Sequence, residues 1–162
     1  MTQLERVRAD HAPAILAFEL ANRAYFTGFI SDRGDAYFEH FAQEHEDLLA
    51  KQQDGSCVFH VLVTDDGTVI GRFNLFDLED GSAVLGYRVA QHAGGQGVAT
   101  AGVQELCRIA VSEYGLHTLT AATNLENVAS QRVLIKSGFV AVGPAEPGGN
   151  PGTLYQRCLT TE

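Results

Sequence analysis

Between His92 and Gly102 the stretch HAGGQGVATAG places four glycines in eleven residues, just after a strand pattern and just before a long helical one. Few arrangements tolerate that. A turn without side chains between a strand and a helix lets backbone N–H groups approach a ligand closely, and the first helical amides have no partner inside the helix. The helix dipole adds partial positive charge there, so the stretch reads as an anion site suited to phosphate oxygens. The competing reading is a flexible turn whose glycines are incidental.

The flanks supply the context. LERVR reads as a first strand, and Asp10 as the cap of a helix carrying Ile15, Leu16, Phe18, Leu20 and Ala21. After Tyr25, Phe26 and Phe29, the stretch RGDAYFEHFAQEHEDLLAKQQ reads as one amphipathic helix with Phe38, Phe41, Leu48 and Leu49 on one face. CVFHVLVT, TVIGRFNLFDL and SAVLGYRVA are strand patterns divided by DDG and EDG turns, so they are expected to pair antiparallel.

Beyond the glycines, Ala99, Val103, Leu106, Cys107, Ala110, Val111 and Tyr114 recur at helical spacing, with Gly115 as a stop. LHTLTAAT is a strand, NVASQRVLIKSG a helix ended by Gly138, and FVAVG and TLYQRCL the last strands, either side of the turn-rich PAEPGGNPG. An antiparallel meander that passes into a strand–helix–strand crossover calls for an α/β (α+β) fold, a mixed sheet with helices on both faces. With 162 residues, 45% of them hydrophobic, and neither repeat nor linker, residues 1–162 are expected to form one domain.

Composition narrows the partners. No apolar run approaches the roughly 20 residues that span a bilayer and no signal-peptide pattern opens the chain, so a cytoplasmic protein without a membrane partner is expected. The net charge of −9 argues against nucleic acid. Cys57, Cys107 and Cys158 are odd in number and widely spaced, which favours free thiols over disulfides or a metal site.

Three phosphate loops can be weighed against the residues. A P-loop needs a lysine that is absent here, and a dinucleotide fingerprint needs a glycine where Thr100 stands and an acid after the next strand. The third fits better. GYRVAQHAGGQGVATAGV resembles the coenzyme-A pyrophosphate motif of the GNAT acetyltransferase superfamily, Gln/Arg-x-x-Gly-x-Gly/Ala, with Gly97 and Ala99 in its last two small positions and Gly94 where the family has Gln or Arg. TNLENVASQRVLIKSGF is similar to the family's later segment, an Asn followed three residues on by Ser and a helix ending in Gly-Phe, here Asn127, Ser130, Gly138 and Phe139. Ser130 and the GY of strand four look most like the RimJ/RimL-like ribosomal-protein N-terminal acetyltransferases. The resemblance covers roughly residues 4–143 and is most specific over 86–139.

What the resemblance implies is a mostly antiparallel sheet of about seven strands, splayed between strands four and five, with acetyl-CoA as cosubstrate. Its pantetheine arm would run along Tyr87, Arg88 and Val89, and its pyrophosphate would lie on Gly94, Gly95, Gln96, Gly97, Val98, Ala99 and Thr100. Acetyl transfer to an amine needs a donor for the carbonyl oxygen and a proton for the departing thiolate. The Val89 backbone N–H is the candidate for the first and Ser130 for the second, since the place where many relatives have a tyrosine is Leu134. Asn127 is expected to cap its helix, to touch pantetheine, or both.

No base is assigned: Val84 stands where ribosomal-type relatives have an acid, Asp77 and Glu79 flank a turn, and His60 and His117 read as packing or surface residues. An acceptor needing little help is therefore favoured, a peptide or protein N-terminus or a small-molecule amine. Tyr25, Phe26, Phe29, Tyr155 and Arg157 are candidates for lining its pocket. The tail EPGGNPGTLYQ is shorter than that of the ribosomal-type relatives, so no substrate is carried over. A homodimer is left open. The rival readings are an acyl-CoA-binding sensor without catalysis and a nucleotide-binding module.

Overall fold

The structure, a computed structural model, describes residues 1–28 and 30–159. Its frame is a seven-stranded sheet: β1 (Thr2–Arg6), β2 (Val58–Thr64), β3 (Val69–Glu79), β4 (Ser82–Val89), β5 (Thr118–Asn124), β6 (Val140–Ala145) and β7 (Gly152–Cys158), in the spatial order β1-β2-β3-β4-β5-β7-β6. All neighbours pair antiparallel except β4 and β5, which run parallel. That exception follows from connectivity, because the helix between these two strands is a crossover and a hairpin turn is not.

Helices α1 (Ala12–Ala21), α2 (Arg23–Phe26), α3 (Asp35–Glu39) and α4 (Phe41–Gln53) precede the meander, while α5 (Val98–Ser112) and α6 (Val128–Lys136) follow it. Strand alternation shows that α1 and α5 cover opposite faces. Arg72 of β3 reaches Glu19 of α1, whereas its neighbour Phe73 packs its ring against Gly102 of α5. A Cβ at Gly102 would lie 2.3 Å from that ring, so only glycine lets α5 come this close. No helix among the described residues is long and apolar enough to cross a membrane.

Two local expectations are corrected. Asp10 does not cap α1: it lies in a 3-10 turn, Ala9–His11, and pairs with Arg8, and His11 precedes the helix without a side-chain cap. The segment 33–53 is two helices, broken at His40, because Tyr37, Phe38 and Phe41 pack edge to face and the chain turns to seat Phe41 in the core.

Candidate active site

The parallel pairing of β4 with β5 covers only Ser82–Val84 against Thr118–Thr120. Beyond it the strands part, and β5 continues against β7 while β4 continues against β3. The register of β4 decides what faces the resulting wedge. Ala90 N–H donates to Ile70 of the β3 side at 2.9 Å, and hydrogen-bonded and free pairs alternate along an antiparallel ladder. The N–H and C=O groups of Val89 and Tyr87 therefore turn away from β3, into the wedge.

At the wide end of the wedge stands the glycine turn. Gly95 and Gly97 have φ of +75° and +76°, and Gly97 is the residue from which α5 starts. Among the described residues no protein acceptor receives the amides of Gly95 to Thr100. Gly94 to Gly97 are exposed, and Gln96 donates back to the carbonyl of His92 at 3.2 Å, which staples the turn. Six backbone donors at a helix N-terminus, uncovered by side chains, fit a pyrophosphate.

The Gly97→Val variant should raise the KM for acetyl-CoA strongly, because a β-branched residue is strained at this φ and its side chain projects into open space where a phosphate would approach. Initial rates against acetyl-CoA concentration read this directly. An unchanged KM would remove the pyrophosphate from this turn.

Across the wedge, Tyr87 and Ser130 meet. The Tyr87 hydroxyl lies 2.8 Å from Ser130 Oγ, joining β4 to the helix that follows β5. Burial pushes the Tyr87 phenol up, against a smaller opposite pull from Ser130, so it stays protonated at neutral pH. Its ring stacks on Phe73, 5.8 Å between centroids, which holds the hydroxyl in place. Asn127 Oδ1 accepts from Ser130 N–H at 3.2 Å, the capping geometry expected for it. Leu134, at the place of the relatives' tyrosine, is fully buried.

Other candidates lie elsewhere. The Arg88 backbone faces β3 and its side chain pairs with Glu19 on the α1 face, so it stands away from the wedge. Phe26 and Tyr155 are core residues, 3% and 5% exposed, with the Arg88 guanidinium over the Phe26 ring. Tyr25 is half-buried, its hydroxyl beside Gly94, and Phe29 lies outside the described residues. Arg157 donates to the Ser137 carbonyl. Asp77 and Glu79 are exposed at the closed end of the wedge, where Glu79 pairs with Ser82. His60 is buried against Tyr114, and burial holds its pKa down to about 4, so it is a neutral packing residue.

One cluster escaped the sequence reading. Glu19, 1% exposed, is held by Arg33, Arg72 and Arg88. The signal was present, since an acid among the apolar residues of α1 and an arginine inside the apolar run of β3 each need a buried partner.

Residues 2–140 match the family model of the acetyltransferase (GNAT) domain. The chain belongs to the GNAT acetyltransferases. It is an N-acetyltransferase, with acetyl-CoA as its acyl donor. The probable N-acetyltransferase YjcK of Bacillus subtilis is 30% identical over 138 residues, which cover 80% of this chain and 75% of that protein. The fold is shared with solved acetyltransferase structures. The ribosomal-protein-S5-alanine acetyltransferase of Vibrio fischeri superposes with a TM-score of 0.89 at 21% identity, covering 97% of this chain and 92% of that one. RimJ of Mycobacterium smegmatis, in complex with CoA-disulfide, has a TM-score of 0.86 at 23% identity, covering 97% and 81%. The wedge and the bare amides of this GNAT chain fit the cosubstrate on their own geometry.

Proposed function

We propose that this acetyltransferase, acting as one domain of residues 1–162, moves an acetyl group to a primary amine by direct attack in a ternary complex. The observation that carries the reading is the Tyr87–Ser130 hydrogen bond across a wedge lined by the Val89 N–H. Acetyl-CoA supplies a thioester, whose carbonyl carbon accepts the amine nitrogen and whose sulfur leaves. The amides of Gly95 to Thr100 hold its pyrophosphate, and the backbone of Tyr87 and Val89 pairs with its arm. The Val89 N–H donates to the carbonyl oxygen as that oxygen gains charge. Ser130 Oγ passes its proton to the departing sulfur and takes one from the neutral Tyr87 phenol. The attacking nitrogen releases a proton to water as the amide forms and water returns one to Tyr87, so that amine and thioester give amide and thiol.

No protein base removes the amine's proton. Glu19 is the only buried acid near β4 among the described residues, and its three arginines hold it ionised with a lowered pKa against the opposing pull of burial, which makes it a poor proton acceptor. Val84 leaves its position on β4 without an acid. The acceptor is accordingly an amine that deprotonates on its own, an N-terminus or a small-molecule amine. The Vibrio fischeri neighbour is named for a ribosomal-protein alanine, a substrate of that kind.

The test is thiol release over a panel of amines as a function of pH. The rate should rise with pH and level off at the acceptor's own pKa, ~7.7–8 for an α-amine and ~10.4 for a lysine-like amine, because only the neutral form attacks. An inflection that stays put when the acceptor changes would mean that a protein group is the base. No thiol release with any amine would instead favour an acyl-CoA sensor.

A further inference from the structure

The face of the sheet opposite α5 carries charge that acetyl transfer leaves unused. Glu19 accepts from Arg72 Nη1 at 2.8 Å, Arg88 Nη1 at 2.9 Å and Arg33 Nε at 2.9 Å. Three guanidinium groups against one carboxylate leave an excess of positive charge in a chain whose net charge is −9. Asp32 and Asp35, on the neighbouring loop and α3, are engaged by Arg23. Each ion taken out of water costs several kcal/mol, so an unbalanced cluster is expensive unless a ligand brings the missing anion.

A second observation points to that ligand. Arg72 is 4% exposed, and its Nε has no partner among the described residues. Two positions along β3, the buried Oδ1 of Asn74 has none either. Alternate residues of a strand share a face about 7 Å apart, so an unused donor stands beside an unused acceptor. Both residues line a cavity of about 530 Å³ between β3 and α3–α4, with Arg33, Tyr37, Phe41 and Phe76 around them. Glu44, Asp47 and Lys51 are exposed at its rim, where water screens them, and the buried His45 beside them bonds the Arg8 carbonyl.

Sheet register ties this cavity to the wedge. Asn74 pairs with Gly86 and Phe76 with Val84, so the cavity floor lies one strand, about 4.8 Å, from the strand that borders the wedge. Gly86 has no side chain on this face, and Val84, 38% exposed, has no charge. An amine reaching β4 would therefore lay its remainder over β3.

We infer that the cavity receives the acceptor and that the acceptor is a primary amine carrying a carboxylate about 5–10 Å from its nitrogen. Arg72 Nε and Arg33 bind the carboxylate, and Asn74 Oδ1 takes an N–H or O–H of the acceptor. Glu19 positions the arginines. This rests on the acetyl-transfer reading and names its substrate class. An amino acid with a side-chain amine and a peptide with an acidic residue at its second position share this chemistry.

The test uses two pairs that differ only in the carboxylate: ornithine against putrescine, and Gly-Asp-Ala amide against Gly-Asn-Ala amide. Calorimetric binding to the CoA-bound protein and thiol release from acetyl-CoA are both measured. In one pair the acid should bind and react about 10- to 10²-fold better, the range for hydrogen bonds to a charged group, and which pair it is identifies the source. Arg72→Lys, which keeps a cation on Glu19 but removes Nε, and the more exposed Arg33→Gln should both bring that ratio toward one. A ratio of one in both pairs for the wild type overturns the inference while leaving acetyl transfer intact. A binding preference without thiol release would uphold the inference and sink the catalytic reading instead.

Discussion

Replacing Ser130 with alanine is expected to lower kcat by about 10²-fold, the lower range for a lost acid catalyst, with the KM for acetyl-CoA little changed. The reason is position. Ser130 Oγ is 2.8 Å from a phenol that burial keeps protonated, so it can give a proton to the leaving sulfur and be resupplied at once. Tyr87→Phe keeps the ring stacked on Phe73 and removes only the resupply, so a smaller fall of about tenfold is expected, the worth of one hydrogen bond. In the double variant the two losses should be less than multiplicative, because the hydroxyls act as one unit. Pre-steady-state thiol release separates chemistry from product release. A Ser130→Ala enzyme with wild-type kcat would reduce the pair to a structural tie between β4 and α6.

The Glu19→Gln variant is expected to lose about 3–5 kcal/mol of stability, the cost of removing one partner from a buried ion pair. For a chain of this length that is a fall in Tm of about 6–20 °C. The amide leaves Arg72 and Arg88 charged, buried and without their anion. The loss should depend on pH. Burial alone would raise the carboxyl pKa, but the arginines outweigh it and the folded value lies below the ordinary one. The ion pair therefore stabilises fully above the ordinary carboxylate range, about 4.3, and its contribution fades as pH falls through the lower folded value. Wild type and variant should converge in acid. Melting curves at neutral and acid pH test this, and a variant that melts within about 2 °C of the wild type at neutral pH would mean that the cluster is not an energetic unit.

Much of the architecture was legible because it depends on local pattern. Every strand and the two helices after the glycine turn follow from periodicity of two or 3.6 and from turn residues, which act over a few positions. The turn's own chemistry was legible for the same reason, since bare amides at the start of α5 need only glycines and a helix in the right order. The Asn127 cap is of this kind as well. Local pattern misled where a side chain's destination lay elsewhere. Asp10 looks like a cap but pairs with Arg8, and 33–53 looks continuous until Phe41 must turn into the core.

Tertiary structure alone decided the rest, because it concerns partners far apart along the chain. Nothing near Tyr87 announces Ser130, 43 residues on, and only the parting of β4 from β5 sets the two hydroxyls across one wedge. Nothing near Glu19 announces Arg72 or Arg88, 53 and 69 residues away. Their types hinted that each needed a partner, since a charge on an apolar face cannot stay unpaired. Which partner it found was settled by strand register, which turned Arg72 and Arg88 to one face of the sheet and Phe73 and Tyr87 to the other. Composition and spacing thus determined a glycine turn with bare amides at the start of α5, while the placement of Tyr87 beside Ser130 and of the buried charge came only from the packed sheet.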